Sequence, residues 1–211
     1  MKQLLLLIAV TSFIQNAQSQ LGPIELMAGD KYLHYQHSLS QPLKAESRFG
    51  WQHIATLIKR YEPNKGKNAM PDELMNQAYV TFRIHSLLTM KSGLFYTNAG
   101  GYTPTAGLQF FLHKKDWVVI LAPRVDLNRD PTYELFTMVE FNPSIRLGVK
   151  LYARLQAMSN FGRQSHNRSY QLLRVGVDLA GFQFGGGVSL DEYGTSRKVH
   201  HNTGLFVRRM L

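Results

Sequence analysis

The chain of 211 residues contains no cysteine, 8 prolines, 2 tryptophans and only 14 acidic residues against 24 lysines and arginines. Without cysteine there is no disulfide framework, no thiolate metal site and no cysteine nucleophile. Long apolar runs are also missing. The longest is Leu4 to Val10, well short of the roughly 20 residues a membrane-spanning helix needs. Polytopic helical membrane proteins are excluded, and the lack of a glycine triplet period or of heptads excludes collagen and coiled coil. The formal net charge of +10 would ordinarily point to nucleic acid or a membrane surface, but its meaning depends on where the charges sit.

The first residues read as an export signal. Lys2 precedes the apolar stretch, Phe13 and Ile14 extend it, and Ala17-Gln18-Ser19 places small residues where a signal peptidase cuts. Residues 1–19 are expected to be removed, leaving a single domain over 20–211. No cysteine follows that would carry a lipid anchor.

Beyond Ser19 the dominant pattern is alternation with period two. Ala78, Val80, Phe82 and Ile84 alternate with polar neighbours, as do Leu108, Phe110 and Leu112, and Tyr133, Leu135, Val139 and Phe141. The clearest run has Ile145, Leu147, Val149, Leu151, Ala153, Leu155 and Ala157 on one side and Arg146, Lys150 and Arg154 on the other. A helix would spread those cations around its circumference. Further strands are expected over 47–61, 87–97, 116–125, 168–179, 181–191 and 202–211. Most are longer than an ordinary strand of about five or six residues, and about ten is what a tilted membrane strand needs.

The connections differ in length. Tight links are expected at His85-Ser86, Lys114-Lys115, Asn142-Pro143-Ser144 and Ala180-Gly181, and longer loops at 62–73, 98–104, 126–131, 159–167 and 192–201. With the tight links at one end, a chain entering from that end requires an even strand number. Adding 23–29 and 30–42, joined at Gly29-Asp30, gives twelve. Ten results if residues 20–45 lie outside the wall.

Alternation alone does not say which face is inside. A soluble lipid-binding barrel would turn its apolar face inward. Three features favour the opposite: a final strand, Asn202 to Leu211, that runs to the end of the chain; aromatics near strand ends (Trp51, Tyr61, Tyr96, Tyr102, Trp117, Tyr133, Tyr170); and a polar face mixing long charged residues with Gly93, Gly107, Gly148, Gly176, Gly185 and Gly187. Small residues opposite long ones suit a narrow bore. Together these features resemble the bacterial outer-membrane β-barrel class, an all-β, antiparallel, up-and-down transmembrane barrel. The resemblance implies residence in the outer membrane, contact with membrane lipid and lipopolysaccharide, and recognition of the C-terminal strand by the barrel-assembly machinery. Leu211 stands where such barrels often end on phenylalanine, and Arg209 interrupts the apolar Leu205, Val207 and Leu211.

The polar face, Arg83, Lys91, Arg124, Glu134, Glu140, Arg146, Lys150, Arg154, Arg174 and Asp178, is read as a network of charges in the bore. A tight turn at Asn142–Ser144 would set Glu140 across from Arg146 and Glu134 near Tyr152 and Arg154. Lys150 would fall near Asp178, with Arg124 reaching Glu134. The bland consequence is a salt-bridged plug. The sharper one is an anion-selective constriction at Arg146, Lys150, Arg154 and Arg174.

Barrels of this architecture also include lipid A deacylases, palmitoyltransferases and phospholipases, so a lipid-modifying hydrolase or acyltransferase is the alternative. It needs a serine beside a histidine. In His34-Tyr35-Gln36-His37-Ser38-Leu39-Ser40, His34 and Ser38 share a face but lie about 13 Å apart on a strand. Ser165-His166-Asn167 falls in an expected loop, where such residues are ordinarily solvated. His200-His201 with Asp191 and Glu192 could suggest a metal, but adjacent histidines on a strand point to opposite faces. Gly185-Gly186-Gly187 opens no helix and so is no phosphate loop. Lys59-Arg60 with Lys65-Gly66-Lys67, and Arg163, His166 and Arg168, form basic clusters that could match anionic lipopolysaccharide or simply be solvated. The expected role is structural or that of a narrow pore, with no cofactor, no metal and no nucleic-acid partner.

Overall fold

The computed structural model describes residues 22–61, 71–146, 148–163, 165–196 and 198–211. The expected signal segment and the Lys65-Gly66-Lys67 cluster lie outside them. Thirteen strands follow one another: β1 (Pro23–Gly29), β2 (Tyr32–Pro42), β3 (Phe49–Arg60), β4 (Glu73–His85), β5 (Leu88–Thr97), β6 (Gly101–Lys114), β7 (Trp117–Asp126), β8 (Thr132–Phe141), β9 (Ser144–Arg146), β10 (Val149–Phe161), β11 (His166–Leu179), β12 (Phe182–Tyr193) and β13 (Lys198–Met210). All but β9 join one antiparallel ring. Each pairs with its sequence neighbours, β8 pairs directly with β10, and β13 returns to β1 with Met27 opposite Phe206. Twelve strands therefore form a closed barrel, and closure leaves no unpaired edge.

β9 is a three-residue spur on the start of β10, with Arg146 opposite Val149. The tight turn expected at Asn142–Ser144 is thus replaced by a small hairpin. That shifts the register, so Glu140 faces Arg154 rather than Arg146, and Glu134 faces Asn160. Strands also reach further than the composition of their ends suggests. Gly101–Pro104 joins β6, and Ser159–Phe161 joins β10, because an antiparallel partner keeps the ladder going through polar residues. The contrast between tight and long links is correspondingly weaker than expected.

The barrel is inverted relative to a soluble one. Outward positions carry Leu205 (73% exposed), Val80, Leu155, Leu173, Val175 and Phe184, whereas the largest fully buried side chain is Arg174, followed among charged groups by Glu25. Among the described residues the buried apolar side chains that cluster together are Met27, Tyr152 and Phe206. This placement is the reverse of an apolar-inward soluble barrel and does not favour that alternative. Aromatics mark both ends: Tyr102 and Tyr133 near one, and Trp117, stacked at 4.3 Å on Phe141, near the other. Tyr170 departs from expectation. It points inward and accepts a hydrogen bond from Gln156.

Small residues give the long ones room. A Cβ on Gly187 would lie 2.8 Å from Arg174 Cδ, and one on Gly185 would lie 2.2 Å from the Val175 carbonyl oxygen. Gly186, facing out, has nothing within 4 Å. Gly185→Ala is expected to destabilise the barrel by about 1–3 kcal/mol through overpacking, with Gly186→Ala close to neutral. Urea unfolding, followed by the gel-mobility difference between folded and heated protein, checks this pair.

Candidate functional site: the charged interior

Inward positions carry three layers of charge. At the end opposite the chain termini, Arg168 of β11 grips Asp191 with two hydrogen bonds of 2.9 and 2.5 Å and reaches Glu73 at 2.8 Å. Glu73 lies on β4, half-way round the ring from β11. Arg60 at 3.0 Å and the Tyr193 hydroxyl at 2.7 Å also hold Glu73. This clamp spans the bore.

The middle layer centres on Glu25. Its two carboxylate oxygens are held by Arg154 at 2.5 Å and Arg174 at 3.0 Å, with Gln36 donating at 3.0 Å. Arg174 also donates to the carbonyls of Leu173 and Val188. Glu25 comes from β1 and the two arginines from β10 and β11, so these bonds are chords through the interior. Between the two layers lies a cavity of about 20 Å³ lined by His34, Gln36, Gln156, Tyr170, Arg168 and Asp191, among others. That is room for about one water.

Nearer the termini, Glu140 binds Arg208 at 2.7 Å and accepts from Tyr152 at 3.2 Å. Arg208 also donates to Gln183, which binds Asp178 at 2.9 Å. To one side, Arg124 pairs with Glu134 at 2.7 Å and lies 4.0 Å over the Phe95 ring. Lys91, only 5% exposed, makes no ion pair among the described residues and sits 4.9 Å over Tyr79.

The inward-facing charges balance. Among buried or half-buried inward side chains, Glu25, Glu73, Asp126, Glu134, Glu140, Asp178 and Asp191 face Arg60, Lys91, Arg124, Arg154, Arg168, Arg174 and Arg208. The excess positive charge is carried elsewhere, on exposed residues such as Lys59, Lys115, Lys150 and Lys198.

Of the residues singled out from sequence, Arg124 and Glu134 pair directly. Glu140, Arg154, Arg174 and Asp178 enter the interior network, though with partners other than those expected. Lys150 stands opposite Asp178 in register but is exposed, and Asp178 is held by Gln183 and Asn142 instead. Arg146 is exposed on β9, off the ring, and Arg83 is exposed at the turn end of β4. An arginine–lysine constriction through Arg146, Lys150, Arg154 and Arg174 therefore does not form. Arg146 and Lys150 are exposed, and Arg154 and Arg174 both bind the Glu25 carboxylate.

Sequence reading missed Glu25, Glu73 and Arg208, and it set Arg60 and Arg168 in basic loop clusters and Asp191 beside a histidine pair rather than in the bore. Parity was the available signal: Asn202, Gly204, Phe206 and Arg208 share one face of β13, and Arg60 follows Gln52, Thr56 and Ile58 inward. No three His, Asp or Glu side chains converge to hold a metal among the described residues. His201 instead meets Lys31 Nζ at 2.8 Å. His166 does not meet Ser165; its ring nitrogens face the Gly194 carbonyl and Ser169. On the outer face, Tyr35, His37, His53 and Asn76 form a hydrogen-bonded row with steps of 2.8, 2.7 and 3.0 Å. In the β1–β2 turn, Asp30 accepts from the backbone N–H of Thr203 at 2.8 Å, which holds its carboxyl below the usual aspartate range.

Removing Glu25 leaves two buried guanidinium groups without their shared counter-charge. Glu25→Ala is expected to cost about 3–5 kcal/mol, read as a lowered urea midpoint in detergent micelles.

No protein-family profile matches the chain, and no curated protein matches its sequence. Solved structures do. A NanC porin structure superposes with a TM-score of 0.50 at 10% identity, covering 90% of this chain and 99% of that one. LpxR from Salmonella typhimurium gives 0.49 at 9% identity over 90% and 99%, and a KdgM porin gives 0.48 at 10% over 90% and 98%. At such identities the likeness is one of fold, and with the closed ring of twelve antiparallel strands it gives this chain the architecture of the bacterial outer-membrane β-barrels.

Proposed function

We propose that the protein is an outer-membrane β-barrel whose bore is closed at rest by its own side chains, with a structural role or one limited to very small permeants. The observation that carries this is the clamp in which Arg168, already paired with Asp191, crosses the ring to Glu73. An open pore needs a path between such groups, and here the Glu25 layer lies directly beneath the clamp. Although two of its structural relatives are named porins, the filled interior favours a plug over a channel.

The apolar outer wall supports residence in a bilayer. Export would use residues 1–19, and the exposed Lys59 and Arg163 at the loop end suit anionic lipopolysaccharide. Leu205 and Val207 on β13 suit recognition by the assembly machinery. Leu155→Arg, at the middle of the outer wall, is expected to cost about 2–4 kcal/mol in lipid vesicles, whereas a soluble barrel would tolerate it.

Planar-bilayer recording tests the closed bore. Wild-type protein is expected to give no steady open-channel steps, and Arg168→Ala combined with Glu25→Ala to introduce them. Steady steps from the wild type would overturn the proposal.

A further inference from the structure

The loop end of β10 and β11 carries a serine–histidine pair on the outer face, across the wall from the charge network. Ser159 and Ser169 are register partners at outward positions, between the inward Met158, Arg168 and Tyr170. The pairing slips by one residue between Asn160 and Phe161, which sets His166 opposite Phe161. The two rings meet edge-on at 5.4 Å. Such irregularities commonly re-aim a side chain. Here the slip brings a histidine that sequence parity would send inward into contact with an outward serine.

The hydrogen bonds fix the direction of proton flow. His166 Nδ1 lies 2.9 Å from the Gly194 carbonyl oxygen. A carbonyl only accepts, so Nδ1 carries the proton and Nε2 presents its lone pair. Nε2 lies 2.8 Å from Ser169 Oγ, so Ser169 donates to the imidazole. Ser159 Oγ is 3.0 Å from Ser169 Oγ. That contact ties the two hydroxyls together across the β10–β11 ladder. The order hydroxyl, imidazole, fixed acceptor is the one that activates a serine.

The surroundings select the substrate. Leu135 stands opposite Ser159 and Tyr133 opposite Phe161. Tyr133 and Phe161 are both exposed on the outer wall, at the level where an aromatic girdle meets lipid headgroups. Like the Tyr35–His37–His53–Asn76 row further round the ring, this is a polar hydrogen-bonded group on a largely apolar outer wall, and such a group is costly there and marks function.

We propose that Ser169 is an acyl-transfer nucleophile and His166 its general base, acting on the ester of a membrane lipid whose acyl chain lies along β8 and β10. Ser169 Oγ bonds to the ester carbonyl carbon while its proton passes to His166 Nε2. The carbon–alkoxy bond then breaks, and His166 returns that proton to the departing lipid alcohol. This leaves acyl-Ser169 and a lysolipid. Water attacks the acyl carbon, gives a proton to His166, and the fatty acid leaves as Ser169 regains its hydrogen. Gly194 and Ser159 are positioning residues, the first holding the ring and the second orienting Ser169 Oγ. The inference rests on the membrane location proposed above but not on whether the bore conducts.

The test uses the folded, full-length protein in detergent micelles, with folding of every variant verified by heat-modifiable gel mobility. A fluorophosphonate is expected to label Ser169, located by peptide mass, in the wild type but not in Ser169→Ala or His166→Gln. In mixed micelles with phosphatidylethanolamine, fatty acid release is expected to fall by about 100-fold or more in those variants. Ser159→Ala should lower kcat with KM unchanged, and Ser159→Thr should restore it. Absence of labelling in folded wild type, or labelling that survives Ser169→Ala, overturns the nucleophile. Labelling without fatty acid release overturns the lipid ester as substrate.

Discussion

One carboxylate, Glu25, ties the structure together. It sits on the shortest strand of the ring, is 1% exposed, and is the shared ion-pair partner of two arginines from the far part of the chain. Neither guanidinium has another carboxylate within ion-pair distance among the described residues. Burying such charges unpaired costs several kcal/mol each, so the interior is tolerable only once β1 has come round to meet β13. Ring closure and charge neutralisation are therefore one event. A sheet of β2 to β13 lacking β1 would hold Arg154 and Arg174 uncompensated, which disfavours partly closed forms.

The same chords explain the division of labour between the two faces. Because charged side chains fill the inside and bond to one another, the outside is left to apolar residues, and the fixed alternation of a strand keeps the two sets apart. The glycines of β11, β12 and β13 sit where Arg174 and the neighbouring backbones come closest. The inner network thus stiffens the wall on which outward groups are mounted. Ser169 is flanked by the inward Arg168 and Tyr170, both bound within the network, so its backbone position is held from behind.

What could be read from the chain follows from the range of each interaction. Period-two alternation is local, so the strands, their twelve-fold count through parity, and the inversion of the barrel were all legible. The Arg124–Glu134 pair was legible too, since the two lie on consecutive strands only 10 residues apart. The partners of Arg154 and Arg174 were not. Their bonds to Glu25 cross the bore and join positions 129 and 149 residues apart, and no adjacent-strand rule reaches that far. The β9 hairpin misled the register for a different reason. Asn142-Pro143 carries the signature of a tight turn, and only the pairing of Arg146 with Val149 shows that the chain folds back later. The contact of His166 with Ser169, rather than with its neighbour Ser165, could not be foreseen because one slipped rung changes which face a histidine occupies.

Pro123 has a bearing on the wall itself. Pairing between β6 and β7 runs from Thr105 to Lys114 except opposite Ala122 and Pro123, where Leu108 and Gln109 find no rung. Proline has no N–H to give, so the ladder there is held by its neighbours alone. A cylinder of hydrogen-bonded staves resists parting in proportion to the rungs that must break together. By that count the seam between β1 and β2, with five rungs, yields before that between β6 and β7 with its eight, and the proline gap adds a second line of weakness to the grain of the wall.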